Sequence, residues 1–211
     1  MDGVNPRGGW IEVITGGMFS GKSEELIRRI RRAEIARQRT QIFKPAMDNR
    51  FDLKRIISRD NRGLDAIAVN NTTELRSNIV LGVKVVGIDE VQFFDQSIVD
   101  VCMEMADAGV RVITAGLDQD YLRRPFGPMP ALLAVSEYVS KMHAVCVRCG
   151  GPAHYSQRVS GGNSQIEVGD ISYEARCRQC FEPYRALPVS DSNVTQIKNA
   201  VGAMNTASGE E

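Results

Sequence analysis

The chain has 211 residues, 43% hydrophobic and 25% charged, with 26 Lys and Arg balanced by 26 Asp and Glu. Such a length supports one substantial core with a small appendage, and zero net charge argues against nucleic acid as the main partner, because phosphate-backbone binding draws on a basic excess. No apolar run approaches a membrane span and residues 1–9 lack the apolar centre of a signal peptide, so the expected location is cytoplasmic, where the five cysteines stay reduced.

Residues 10–15 (WIEVIT) are apolar and β-branched and predict a strand, followed by a Gly-rich loop and a run of helix formers. In that helix Leu26, Ile30 and Ala33 recur at spacings of four and three. Arg28, Arg29, Arg31 and Arg32 fill most other positions and predict a solvated or subunit-facing surface in preference to nucleic-acid contact. Further strands are predicted at 40–43, 83–88, 110–115 and 138–145, with a helix over 96–108 that Asp95 caps and Gly109 ends. Cys102, with Ile98, Val101 and Met105 on that helix, is expected to be a buried small hydrophobe. Strands alternating with helices predict an α/β domain with a mainly parallel sheet over 1–144. Past Val145 short, Gly-rich, Cys-bearing segments predict a second, smaller unit over 145–190, and the polar residues 191–211 predict a mobile tail.

Gly16-Gly17-Met18-Phe19-Ser20-Gly21-Lys22-Ser23 fits G-x-x-x-x-G-K-[ST] between a predicted strand and a predicted helix, the context the motif requires. Glycines let the backbone bend round a phosphate, successive N–H groups and the positive helix end hold its oxygens, and Lys22 adds a point charge. Ser23 then has a hydroxyl for Mg²⁺, so a nucleoside triphosphate with magnesium is the expected ligand. The apolar run 84–88 ends in Asp89 and Glu90; Asp89 is the candidate for the magnesium shell, and Glu90 is left to accept a proton from an attacking nucleophile. The pair could instead cap the next helix. Whether Glu90 would activate a hydroxyl or a water separates a kinase from an ATPase, and these residues alone leave that open.

Cys146-Val147-Arg148-Cys149 and Cys177-Arg178-Gln179-Cys180 form two C-x-x-C pairs, each able to grip one side of a tetrahedral Zn²⁺. Four thiolates leave no open position for water, so the predicted zinc is structural. The segment 150–176 between the pairs is long, and its clamped ends suit a loop that folds over a ligand. Gln165, Ile166, Glu167, Val168 and Gly169 form its extended, strand-like piece. His143 and His154 receive no role.

The phosphate loop, the run Asp89-Glu90-Val91-Gln92-Phe93-Phe94, the stretch from Leu117-Asp118 to Arg124-Pro125-Phe126-Gly127 and the paired cysteines, in this order, resemble the type II thymidine kinases over about residues 10–185. The resemblance implies a RecA-like P-loop core joined to a small zinc-ribbon-like domain whose loop, the lasso, closes over thymidine. It implies that Glu90 takes the proton of the sugar 5′-hydroxyl, which attacks the γ-phosphorus of ATP to give thymidine monophosphate in nucleotide salvage, with deoxyuridine as a further acceptor. Phe93, Leu117, Tyr121 and Phe126 then match the apolar residues round the nucleoside, with Gln92 near the nucleotide. Ser156 matches the position at the thymine methyl, Tyr173 the lasso tyrosine, residues 165–169 the main chain that reads the base, and Asp48, Asn49 and Arg50 a phosphate-side segment. A homotetramer and feedback inhibition by thymidine triphosphate are also implied. Gly17 and Val91 depart from proline and glycine found in some members, and the lasso is about one residue shorter than the vertebrate pattern before Tyr173. A helicase-like ATPase would call for further nucleic-acid motifs and a basic face, and a zinc-ribbon adaptor would leave the phosphate loop without purpose.

Overall fold

The structure is a computed structural model that describes residues 8–47, 55–57, 63–159 and 172–182. In chain order these form β1 (Trp10–Gly16), α1 (Lys22–Ile35), β2 (Thr40–Pro45), β3 (Arg55–Ile57), β4 (Gly63–Asp65), β5 (Ile67–Val69), α2 (Thr72–Ser77) and β6 (Val85–Ile88). A 3-10 turn (Val91–Phe93), α3 (Ile98–Asp107), β7 (Arg111–Gly116), α4 (Met129–Val135) and β8 (Tyr138–Met142) complete the larger part. The smaller part holds β9 (Ala144–Val145), β10 (Pro152–Ala153), β11 (Tyr155–Arg158) and β12 (Tyr173–Arg176). Six strands make one sheet in the order β5-β2-β6-β7-β1-β8, and every neighbouring pair is parallel.

Alternation along the strands builds the two apolar layers, because successive side chains point to opposite faces. Ile11, Val13, Phe43, Val86, Ile88 and Val112 pack with α3 and α4 on one face. Ile14, Ile42, Val85, Ile113 and Ala115 meet Leu26, Ile27, Ile30 and Ala33 of α1 on the other. Helix α1 comes close to the sheet because β6 presents Gly87 to it: a Cβ there would stand 3.1 Å from Ile30 Cδ1. Cys102 is fully buried, and burial pushes its thiol up to about 12, so it behaves as the small hydrophobe expected. No helix among the described residues is long and apolar enough to cross a membrane.

The parallel α/β class is the one predicted, and four details differ from the prediction. The strand predicted over 138–145 is two strands: β8 extends the main sheet, and β9 leaves it to pair antiparallel with β10. The break falls at His143, where the chain passes from the large sheet to the cysteine-bearing part. Helix α3 starts at Ile98, after Asp95 has accepted a hydrogen bond of 2.9 Å from the Ser97 N–H, and Gly109 follows its last turn with φ 85°. The helical arginines do not share one solvated face. Arg28 is exposed and pairs with Glu25, whereas Arg29 is half-buried, 2.7 Å from Glu12 and 2.8 Å from both Glu25 and the Ser140 hydroxyl. Finally, α2, α4 and the short strands β3 to β5 lie in stretches for which no element is predicted.

Glu12 is the centre of that ion-pair network, receiving bonds from Arg111, Arg29 and the Trp10 indole while only 6% exposed. Burial alone would raise its carboxyl, but the hydrogen bonds from Arg111 and Trp10 and the charges of both arginines outweigh burial and hold it below the ordinary 4.5. A carboxyl lowered by folding adds stability above its ordinary pKa and loses it as pH falls through the folded value. Glu12→Gln is therefore expected to lower unfolding free energy by about 2–4 kcal/mol at neutral pH, since it leaves two guanidinium groups short of a partner. Urea titrations should show the difference start to shrink as the pH drops below 4.5, where the carboxyl of the unfolded chain takes up its proton, and vanish once the pH has passed the lower folded value.

Candidate active site

With all six strands parallel, the segments that follow their carboxyl ends collect along one edge of the sheet, where such folds bind ligands. The 16–23 loop follows β1, Asp89 and Glu90 follow β6, and the 117–127 loop follows β7. Three strands that are neighbours in the sheet, β6-β7-β1, thus supply three parts of one site.

In the loop after β1, Phe19 and Gly21 take φ of 67° and 84°, and the Glu25 N–H bonds to Gly21 O at 3.0 Å to start α1. Lys22 Nζ and Ser20 Oγ both donate to Gly17 O at 2.8 Å. Lys22 is buried, so this bond forms away from water. Ser23 Oγ lies 3.1 Å and 3.3 Å from the two Asp89 oxygens, which brings the predicted magnesium-facing pair into contact. Met18 N–H donates to Ser156 Oγ at 2.9 Å, tying this loop to β11 across 138 positions of sequence.

Glu90 follows with φ 49°, in the left-handed region that residues with a side chain rarely enter, a type of strain that gathers at functional sites. Its carboxylate accepts a short hydrogen bond, 2.5 Å, from Gln92 Nε2. Gln92 is 2% exposed, and its Oε1 accepts from the Leu117 N–H at 3.0 Å, so one amide joins the end of β6 to the end of β7. The loop after β7 turns back on itself through the Gln119–Pro125 bridge, with Asp120 accepting from the N–H groups of Leu122 and Arg124. It buries Tyr121 and Phe126, and the Phe126 ring meets Phe93 edge to face at 5.6 Å; Phe93 and Leu117 are half-buried. Lys141 pairs with Asp118 at 2.7 Å.

In the smaller part, the sulfur atoms of Cys146, Cys149, Cys177 and Cys180 lie within 4.8 Å of one another, a group that can hold a metal ion. Burial opposes ionisation of Cys146, but the N–H groups of Cys177, Cys149 and Arg148 aim at its sulfur and bring the thiol down to about 6. The Cys180 N–H does the same for Cys177, which is also lowered. Crowding by the neighbouring sulfur atoms acts the other way on the remaining two, raising Cys149 against the Gly151 N–H and pushing Cys180 up to about 12. Two of the four thiols thus favour the thiolate that binds metal and two favour the proton. His143 and His154 meet edge to face at 4.3 Å beside these cysteines, in a cavity of about 600 Å³ that Lys141 and Arg178 also line.

Ser156 and Tyr173 stand on the paired strands β11 and β12. Asp48, Asn49, Arg50, Gln165, Ile166, Glu167, Val168 and Gly169 lie outside the described residues. The sequence reading missed Arg158, the last residue of β11: it is 2% exposed, 3.7 Å above the Tyr121 ring, and its Nη2 donates to Tyr173 OH at 2.6 Å. Nothing in the sequence separates it from a surface arginine, because its partners lie 37 positions before it and 15 after it.

A strand, a phosphate-type loop and a helix on a parallel sheet, with the acidic strand end in contact with the loop serine, define a P-loop protein of the nucleotide-binding α/β class. Comparison with known proteins gives the family. The profile of the family described as "Thymidine kinase" matches residues 9–181. The chain is similar to proteins named thymidine kinase from Rhodothermus sp. (51% identical over 88% of this chain and 86% of the relative) and Bdellovibrio bacteriovorus (50%, 87% and 90%). It is also 49% identical to the thymidine kinase of Porphyromonas gingivalis over 88% of this chain and 91% of the relative. The chain belongs to the thymidine kinase family.

Gly127 fixes where Gln92 sits. Its φ is 50°, and a Cβ added to it would stand 2.3 Å from the Gln92 carbonyl oxygen, a backbone atom that cannot rotate away. Gly127→Ala is therefore expected to cost about 2 kcal/mol or more and to displace Gln92 from Glu90 and Leu117. Thermal unfolding measures the loss, and a crystal structure of the variant with Gln92 unmoved would contradict it.

Proposed function

We propose that the chain phosphorylates thymidine: the γ-phosphate of ATP passes to the sugar 5′-hydroxyl, giving thymidine monophosphate and ADP. The observation that carries this reading is the contact of Ser23 with Asp89 at 3.1 Å, with Glu90 the next residue. It sets a candidate base one residue from the candidate metal shell, as transfer between a phosphate and a bound hydroxyl requires. In this reading Glu90 accepts the 5′-hydroxyl proton as that oxygen forms its bond to the γ-phosphorus and the bond to the bridging oxygen of ADP breaks. The N–H groups of the 16–21 loop and the Lys22 ammonium hold the phosphates and offset the charge that builds on them. Ser23 and Asp89 offer oxygen ligands suited to Mg²⁺, which supplies charge neutralisation on the phosphates when bound. Asp48, Asn49 and Arg50 are assigned to the phosphate side by the family resemblance.

Phe93, Leu117, Tyr121 and Phe126 form the apolar wall of the nucleoside site, and Gln92 holds Glu90 against the end of β7. Ser156 and Tyr173 approach from the smaller part, with residues 165–169 covering the base. The four cysteines fit a structural Zn²⁺, since four sulfur ligands fill a tetrahedron and leave no position for substrate. The reading further includes two units, 1–144 and 145–190, followed by a tail over 191–211. It includes a homotetramer, inhibition by thymidine triphosphate in place of substrate, and action in the cytoplasm, all carried by the resemblance.

Two experiments test it. Transfer of labelled γ-phosphate, assayed with each deoxynucleoside in turn, is expected to favour thymidine. Glu90→Gln is expected to lower kcat by about 10²–10⁴-fold while ATP still binds. Phosphate release at full rate without any nucleoside would favour an ATPase instead. For the metal, the purified protein is expected to carry about one zinc per chain by elemental analysis. Cys177→Ser should lose that zinc and lower Tm. It should also raise KM for ATP, because β11 holds the Met18 N–H of the phosphate loop.

A further inference from the structure

We propose that Arg158 is a positioning residue of the nucleoside site, acting through Tyr121 and Tyr173; the proposal rests on the thymidine kinase reading above. Three observations converge on this side chain. Arg158 ends β11 directly opposite Tyr173 of β12 in the antiparallel register, and its Nη2 donates to the Tyr173 hydroxyl at 2.6 Å. Its guanidinium carbon lies 3.7 Å from the centre of the Tyr121 ring and 5.3 Å from that of Tyr173. The residue is 2% exposed, so these contacts form away from water.

The two rings come from different parts of the chain. Tyr121 belongs to the loop after β7, whereas Tyr173 opens the strand that leads to Cys177 and Cys180. A single guanidinium therefore joins the wall of the parallel sheet to the cysteine-bearing part. Burying a cation is costly unless its charge and N–H groups find partners, and a planar guanidinium can lie on one aromatic face while donating in its own plane to another group. An ammonium group has a point charge and no plane, so the substitution Arg158→Lys would keep the charge but not both contacts. With Arg158 in place the rings of Tyr121 and Tyr173 are held at fixed separation, and both are nucleoside-site residues in the proposed function.

The test compares the unaltered chain with Arg158→Lys, Tyr173→Phe and the double variant, measuring kcat, KM for thymidine, KM for ATP and Tm. Arg158→Lys is expected to raise KM for thymidine about tenfold while KM for ATP stays within about twofold, since only the nucleoside wall loses its support. Tyr173→Phe removes the hydroxyl alone and should raise KM for thymidine by a smaller factor. In the double variant the two effects should fall short of their product, because both variants break the same contact. Equal shifts in both KM values with a drop in Tm would show a general structural role and overturn the proposal. So would a KM for thymidine within about twofold of the original in Arg158→Lys, or effects in the double variant that simply multiply. Inactivity of the unaltered chain towards thymidine overturns the function reading and this proposal with it. Activity that ignores Arg158 overturns this proposal alone.

Discussion

The constraint on which the rest depends is that all six strands of the main sheet point the same way. A parallel sheet must be covered on both faces, and here α1 covers one while α3 and α4 cover the other. It must also send each connection back across a face, so every strand delivers its carboxyl end to the same edge. The phosphate loop, Asp89 with Glu90, and the 117–127 loop therefore share an edge as a result of topology. The opposite end of β1 is free for other work, and there Glu12, Arg29 and Arg111 join β1, α1 and β7 in a network directed at stability.

Within that edge the positions are set by a few buried polar groups. Gln92 receives the Leu117 N–H through its carbonyl and offers its amide nitrogen to Glu90, so each end of the side chain is used. A glutamine buried in this way is stable only while both partners stay in place, because an unsatisfied amide in the interior is costly. That mutual dependence turns two separate strand ends into one rigid unit, and the left-handed backbone at Glu90 is sustained by it. Gly127 belongs to the same unit, since any side chain there would meet the Gln92 backbone.

The elements read correctly from sequence are those whose determinants are local. The Gly-rich loop with Lys22 and Ser23, the acidic end of β6 and the cysteine pairs each lie within a few residues, so spacing alone marks where they fall in the fold. Leu26, Ile30 and Ala33 likewise announce the buried side of α1 by period. What could not be read depends on partners brought close by the fold. Residues 138–145 look like one strand because no Gly or Pro interrupts them, yet β8 pairs with β1 and β9 pairs with β10. Arg29 resembles its neighbours Arg28 and Arg32 in sequence, and Glu12, 17 positions away, with Ser140, 111 positions away, makes it different. Arg158 is the sharpest case: its role depends on two tyrosines from other elements.

The cysteine cluster and the phosphate loop are linked by register. In β11, Ser156 and Arg158 are two residues apart and so lie on one face of the strand. From that face Ser156 receives the Met18 N–H and Arg158 reaches Tyr121. Tyr155 and Gln157 take the other face, where the Tyr155 ring packs against Phe181 and Gln157 Oε1 accepts from the Glu182 N–H. A slip of one residue between β11 and β12 would exchange these faces, withdrawing both Ser156 and Arg158 from the parallel sheet. A two-stranded ribbon of four residues each is too short to fix its own register. The cysteines provide the missing restraint, because Cys177 directly follows β12, Cys146 directly follows β9, and their sulfur atoms are held in one group. A metal bound there would act at a distance from any phosphate, by keeping β11 in the one register that meets the loop.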